Sequence, residues 1–136
     1  MVSFTSLLAS TMAALPLASA YITGFTAPAD VTAGTSFNVT LATAIYVQNW
    51  DDYSIIWGLA VPDYDCSNCI GTQIDYITLT GSEGTAYPYT FTQGLTIPEG
   101  IFDTGDYLLK AAIPHLVGAS GEMSFSIYSA NVTISS

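Results

Sequence analysis

A cluster of aromatic, amide and acidic side chains lies between two strand-like runs of the sequence. Loops between packed strands tend to carry function, because the strands themselves are committed to the core. Trp and Tyr side chains can anchor in a pocket of a partner protein or stack on sugar rings. In the alternative interpretation, Trp50 folds back as a lid over one end of the fold. We predict a partner-binding site made of Tyr46, Gln48, Asn49, Trp50, Asp51, Asp52 and Tyr53.

The acidic residues of this cluster do not form a catalytic pair. A glycosidase needs two carboxyl groups on opposite sides of a cleft. Asp51 and Asp52 are adjacent, so on a strand their side chains would point to opposite faces. The single histidine, His115, lies among apolar residues that indicate the end of a core strand. With no nucleophile–base pair in the pattern, we predict a protein that is not an enzyme and has no catalytic residues.

Two acidic turns provide oxygen atoms that calcium could use. One surrounds the cysteines with Asp63, Asp65 and Asn68, and the other contains Asp103 and Asp106. Neither has the spacing of an EF-hand, and Asp and Asn are also ordinary turn residues. Zinc would need more ligands than one histidine can add to two cysteines. We therefore predict no metal site and no cofactor.

The two cysteines, Cys66 and Cys69, are separated by two residues. In an exported protein this pair is expected to be oxidised. A disulfide that closes so short a loop stabilises the fold by about 2 kcal/mol, so it would act as a local staple of a turn. A redox motif would need the start of a helix beside a βαβ unit, and nothing in the pattern is helical.

The first twenty residues have the form of a secretory signal peptide. An apolar stretch runs to Leu17 and is followed by Ala18-Ser19-Ala20, the A-x-A pattern of a cleavage site. We predict that residues 1–20 are removed and that residues 21–136 form a single secreted domain. No later segment is long and apolar enough for membrane insertion. Two N-x-T sequons, at Asn38 and Asn131, predict surface glycans.

The charge of the chain is strongly one-sided. Eleven acidic residues stand against a single Lys or Arg, which is Lys110, and the formal net charge is −10. Nucleic acids and anionic membranes both need Lys and Arg on the protein that binds them, so we exclude these partners. The excess of acid indicates either simple solubility or steering toward a basic partner surface.

Alternation of apolar and polar residues dominates residues 21–136 and predicts about seven short strands. Many short strands with turn signals between them are typical of a β-sandwich or barrel. Near the C-terminus, Phe125 and Ile127 fall on one parity and Val132 and Ile134 on the other. This switch predicts a bulge or bend between residues 128 and 131.

A tyrosine corner narrows the fold. Residues 103–107 have the form D-x-G-x-Y, in which the Tyr hydroxyl bonds back to the backbone upstream. Leu109 then takes the position of the second cysteine of an antibody domain, and Val39 or Leu41 that of the first. Trp57 falls on the strand where such domains bury a tryptophan. We predict an all-β fold, an immunoglobulin-like antiparallel β-sandwich of about seven strands.

Several segments together resemble a known family over nearly the whole mature chain. They are Tyr46–Tyr53, Ile56–Leu59, Cys66–Cys69, Tyr87–Phe91, Ala112–Pro114 and Leu116–Glu122. These segments resemble the necrosis-inducing secreted proteins of fungi, which are core effectors of plant-associated fungi. The resemblance implies a non-enzymatic protein that binds plant immune receptor-associated kinases and suppresses pattern-triggered immunity. It also implies that the protein can trigger cell death.

A second function class remains open. The rings of Tyr46, Trp50 and Tyr53 could form a stacking platform, as in a secreted carbohydrate-binding module of the cell wall. The sequence also leaves open whether the protein acts outside the plant cell or after entry into it. The oligomeric state is not encoded in any pattern that we find.

Overall fold

The computed structural model describes residues 19–46, 50–79 and 90–136. Within them the chain forms nine strands and one 3-10 turn, and no helix is long and apolar enough to cross a membrane. The predicted signal peptide lies outside the described residues except for Ser19 and Ala20. The strands are β1 (Ser19–Thr26), β2 (Asp30–Thr32), β3 (Phe37–Tyr46), β4 (Trp50–Asp52), β5 (Ser54–Ala60), β6 (Thr72–Thr78), β7 (Thr90–Leu95), β8 (Gly105–Val117) and β9 (Glu122–Ser135).

The strands form two sheets, which confirms the predicted all-β sandwich. The smaller sheet has the order β1-β3-β7, and the larger has the order β2-β9-β8-β5-β6 with β4 beside β8. The neighbours pair antiparallel, except that β2 runs parallel to β9. The number of strands exceeds the predicted seven because β2 and β4, of three residues each, are too short to show an alternation.

The core forms where alternating side chains of the two sheets meet. On β3, Val39 and Leu41 are fully buried while Asn38 faces solvent, so the alternation correctly predicts the inner face. On β8, Leu109 is fully buried in the same core as Leu41. Each such aliphatic side chain stabilises the fold by about 1.5–3 kcal/mol when it leaves water. Aliphatic packing therefore occupies the place of an inter-sheet disulfide.

Trp57 connects the two sheets. Its side chain on β5 is fully buried, and its indole Nε1 donates a hydrogen bond of 2.9 Å to Oε1 of Gln93 on β7. The ring of Phe25 on β1 meets the indole edge-on, with centroids 5.0 Å apart. One residue of the larger sheet thus contacts two strands of the smaller one, as expected for the tryptophan of such a sandwich.

The tyrosine corner is confirmed. The hydroxyl of Tyr107 donates a hydrogen bond of 3.0 Å to the carbonyl oxygen of Asp103. The ring of Phe102 packs edge-on against Tyr107, with centroids 5.8 Å apart. The corner fixes the chain at the point where it enters β8.

Of the bulge or bend predicted in β9, the bulge is wrong. The pairing of β8 with β9 runs without a shift from Gly105 opposite Ile134 to Val117 opposite Glu122. The apolar parity changes because Phe125 lies on the outer face of the larger sheet, where it is 57% exposed, and not in the core. The apolar residues of β9 thus serve two different faces of one regular strand.

Candidate functional site

The predicted binding cluster is only partly a loop. Gln48 and Asn49 lie outside the described residues, whereas Trp50 to Asp52 form β4 along the end of β8. In this pairing Trp50 lies opposite Val117 and Asp52 lies opposite His115. Tyr46, Trp50 and Asp51 are described by their backbone alone, and their role in binding a partner stays a prediction.

Asp52 holds the two sheets together. Its Oδ2 accepts a hydrogen bond of 2.8 Å from the backbone N–H of Ile22 on β1. The carbonyl oxygen of the same Ile22 accepts a hydrogen bond of 3.0 Å from the hydroxyl of Tyr128 on β9. Both bonds serve β1, which is an edge strand of the smaller sheet among the strands that the structure describes. Asp52 therefore stabilises the packing of the two sheets, in addition to its predicted role in binding a partner.

Burial keeps the hydroxyl of Tyr128 protonated. It raises the pKa of this phenol above its ordinary value, and the negative charge of Asp52 and the neighbouring Tyr21 raise the pKa further. A hydrogen bond with the side chain of Ser126 lowers the pKa in part. The neutral phenol is the form that can donate to Ile22.

His115 is buried at the same junction. Its side chain is 4% exposed, and Nδ1 lies 3.1 Å from the carbonyl oxygen of Ile113. A general base must reach the proton of a substrate within hydrogen-bond distance. A ring so enclosed is placed to pack between strands, in agreement with the structural role that its apolar neighbours predict.

Tyr53 is the member of the predicted cluster whose exposed side chain the structure describes. Its backbone N–H donates to the carbonyl of Pro114 at 2.9 Å, and its carbonyl accepts from the N–H of Leu79 at 2.7 Å. The backbone is thus fixed between β8 and the end of β6, while the ring is 42% exposed. A rigid backbone with a projecting ring suits a contact with a partner.

The cysteine turn is fastened to the outer face of the larger sheet. Cys66 and Cys69 form a disulfide with their Cα atoms 5.4 Å apart. The Nζ of Lys110 donates to the carboxylate of Asp65 and, at 2.8 Å, to the carbonyl of Cys66. Ile70 lies directly over Gly58, where a side chain would collide with the carbonyl of Ile70.

The sequence does not predict that the cysteine turn buries Lys110. Its side chain is only 4% exposed, and its partner Asp65 is 38% exposed. A signal for this burial is present in the sequence. The single Lys or Arg of the chain alternates with core residues on a strand, and several acidic residues surround the cysteines. A strand flanked on both faces by protein must pair such a charge.

Beyond this turn, the outer face of the larger sheet carries an exposed apolar surface, which we call the outer apolar patch. Tyr76 is 61% exposed, Met123 62% and Phe125 57%. Half-buried apolar side chains fill the space between them. The patch is formed by Ile56, Tyr76, Ala112, Pro114, Leu116, Met123, Phe125 and Ile127.

The two predicted glycosylation sites both lie on exposed side chains. Asn38 is on the outer face of the smaller sheet, opposite Gly94. Asn131 is on the outer face of the larger sheet, six residues along β9 from Phe125. At about 3.3 Å per residue, it lies roughly 20 Å from that ring.

These features define a small acidic β-sandwich with a structural disulfide turn and an exposed apolar face. The sequence model of the Nis1 family matches residues 18–133. The chain therefore belongs to the Nis1 family, which confirms the resemblance seen in the sequence.

Two relatives carry the name necrosis-inducing secreted protein 1. The protein of Colletotrichum orbiculare is 30% identical over 131 residues, which cover 96% of this chain and 80% of that protein. The protein of Colletotrichum higginsianum is 29% identical over 131 residues, covering 96% and 90%. Their names support an extracellular destination for this chain.

Solved structures show more distant likeness. A CARDB domain from Pyrococcus furiosus has a TM-score of 0.48 at 10% identity, covering 88% of this chain and 96% of its own. A cohesin module from Clostridium perfringens has a TM-score of 0.45 at 14% identity, covering 88% and 98%.

Proposed function

We propose that this protein is a non-enzymatic fungal effector that is exported, binds plant immune receptor-associated kinases and suppresses pattern-triggered immunity. Induction of cell death in the host is a further part of this proposal. The observation that carries the proposal is the membership of the Nis1 family, with two relatives named necrosis-inducing secreted proteins. Export proceeds through removal of residues 1–20, and Asn38 and Asn131 carry glycans.

The charge of the chain supports a protein partner with a basic surface. The formal net charge is −10, and the single Lys or Arg is already paired with Asp65. Complementary charge accelerates association and selects against wrong partners. A kinase domain that presents a basic surface would be attracted over about one Debye length, roughly 8 Å at physiological salt.

The direct test is a pull-down of residues 21–136 with purified plant receptor-kinase domains. A polysaccharide pull-down in parallel tests the alternative of a carbohydrate-binding module. We expect retention of kinase domains and no retention on glucan or chitin. Retention on polysaccharide alone would favour the alternative. Of its three predicted platform residues, Tyr53 is the one whose side chain the structure describes, and its ring is exposed.

Expression in leaves tests the cellular consequence. We expect a reduced oxidative burst after a microbial elicitor, and cell death when purified protein is infiltrated at high dose. Versions with and without the signal peptide separate action outside the plant cell from action within it. Failure of kinase binding together with an undiminished burst would refute the proposal.

A further inference from the structure

The outer apolar patch is unusual for a face of a sandwich that points to solvent. Such faces normally carry polar residues, because the apolar alternation is directed to the core. Here Tyr76, Met123 and Phe125 are each more than half exposed. Contiguous exposed apolar surface of this kind marks an interaction site in a soluble protein.

The strand register makes the patch continuous. Tyr76 lies opposite Ile56, Ile56 opposite Ala112, and Ala112 opposite Ile127, so one apolar row crosses four strands. With strands about 4.8 Å apart, this row is roughly 14 Å long. A second row starts with Pro114 opposite Phe125, and Leu116 opposite Met123 extends the patch along the strands.

The end of the patch, at Leu116 and Met123, lies beside β4. Leu116 lies opposite Asp51 on one side and opposite Met123 on the other. The strand that contains part of the predicted binding cluster is therefore the next strand beside the patch. A partner seated on Phe125 and Met123 would meet β4 without any rearrangement of the sheet.

The charges around the patch select the kind of partner. The same face carries Lys110, but its ammonium group is buried against Asp65 under the cysteine turn. Glu122, the residue before Met123 at the start of β9, is exposed at the end of the strand. With a net charge of −10, a second copy of this chain would be repelled, whereas a basic surface would be attracted.

The two predicted glycosylation sites lie outside the patch. Asn38 lies on the smaller sheet, and Asn131 lies roughly 20 Å from Phe125 on the same face. The cysteine turn covers Gly58 and Lys110 between these two regions. Neither sequon is therefore part of the patch.

We infer that the outer apolar patch is the surface through which this chain binds a basic protein surface that presents apolar side chains. The inference rests on the proposed function, in which the partner is a kinase domain. Apolar contact supplies the affinity, and the net negative charge of the chain supplies attraction.

A matched pair of substitutions tests this. Phe125→Ser and the double variant Met123→Ser with Phe125→Ser remove apolar contact at the patch. Ile101→Ser is the control, because Ile101 is also a large apolar residue, 64% exposed, but lies outside the patch. Circular dichroism and the melting temperature must first show that all variants are folded, as expected for exposed positions.

We expect the patch variants to bind the kinase domains at least about tenfold more weakly, with the control unchanged. The affinity of the wild-type protein should fall as salt rises from about 50 to about 500 mM, since added ions screen the charges. Equal binding by wild type and patch variants would overturn the inference and leave the proposed function standing. An affinity that does not change with salt would contradict the inference that the partner surface is basic.

A second readout separates the two proposals. Suppression of the oxidative burst is measured for Phe125→Ser and Ile101→Ser in leaves. If no kinase domain binds but only Phe125→Ser loses suppression, the proposed kinase partner is wrong. The outer apolar patch is then the binding surface for another basic partner. If both variants suppress like wild type, the patch is wrong. A dimer that Phe125→Ser dissolves in analytical ultracentrifugation would assign the patch to a second copy instead.

Discussion

The carboxylate of Asp52 accepts a hydrogen bond of 2.8 Å from the backbone N–H of Ile22. This bond joins β4 of the larger sheet to β1, an edge strand of the smaller sheet. A residue that the sequence suggests for binding a partner thus also holds the sandwich closed. Its substitution must therefore be interpreted for stability before it is interpreted for binding.

Asp52→Ala should lower the free energy of unfolding by about 1–3 kcal/mol, because it leaves the N–H of Ile22 without its acceptor in a partly buried site. Asp52→Asn keeps an oxygen at the same place and should cost less. Urea denaturation of the three proteins measures the difference. Equal stability of Asp52→Ala and wild type would show that water replaces the carboxylate without cost.

Lys110→Met should destabilise the fold by about 1–3 kcal/mol, since Asp65 and the carbonyl of Cys66 lose their buried donor. The value is set below that of a fully buried pair because Asp65 is 38% exposed and solvent screens it. The double variant with Asp65→Asn should recover part of the loss. A strictly additive double-mutant cycle would contradict an interaction between the two side chains.

Gly58→Ala should be poorly tolerated, because the added methyl group meets the carbonyl of Ile70 in the cysteine turn. We expect a loss of about 1–3 kcal/mol from this overpacking. Gly94→Ala is the matched control, since its methyl group would lie 3.6 Å from the Ser36 hydroxyl, an ordinary contact. Thermal melts compare the two, and similar melting temperatures would show that the turn can lift from the sheet.

The raised pKa of Tyr128 predicts a loss of stability at high pH. In the unfolded chain a Tyr ionises near pH 10, whereas burial raises the pKa of Tyr128 in the fold. The neutral phenol of Tyr128 contributes fully to the free energy of unfolding below about pH 10. This contribution declines as pH rises toward the raised pKa, because the unfolded chain then binds fewer protons than the folded one.

Tyr128→Phe isolates this contribution from the other tyrosines. At about pH 8 it should be less stable than wild type by about 1 kcal/mol, through loss of the bond to Ile22. The gap should narrow above about pH 10. Urea denaturation at both pH values measures it, and a constant gap would refute the linkage.

The sequence predicts the fold well where one residue type can satisfy only one environment. The tyrosine corner at Tyr107 and the buried Trp57 belong to this class, as does the alternation of Val39 and Leu41. The outer apolar patch could not be predicted, because the spacing of Phe125 and Ile127 is the same for an inner or an outer face. Only the register with β8 decides which face they occupy.

The candidate site was predictable in part for a similar reason. Adjacent aromatic and acidic residues indicate a contact surface, but they do not reveal that Trp50 to Asp52 pair with β8. A strand of three residues carries no alternation that periodicity can detect. The burial of Lys110 under the cysteine turn was not predictable, because it depends on a contact between Asp65 and Lys110, which are far apart in sequence.

The proposed removal of the signal peptide would change the first strand, β1. In the full chain Ser19 and Ala20 extend β1 and pair with Tyr46 and Ile45. Cleavage after Ala20, as proposed, would remove both pairs and leave an α-ammonium group on Tyr21. That new cation would stand one residue before the N–H that Asp52 accepts. A single proteolytic event would thus shorten the edge of the sandwich and bring a positive charge toward the carboxylate that closes it.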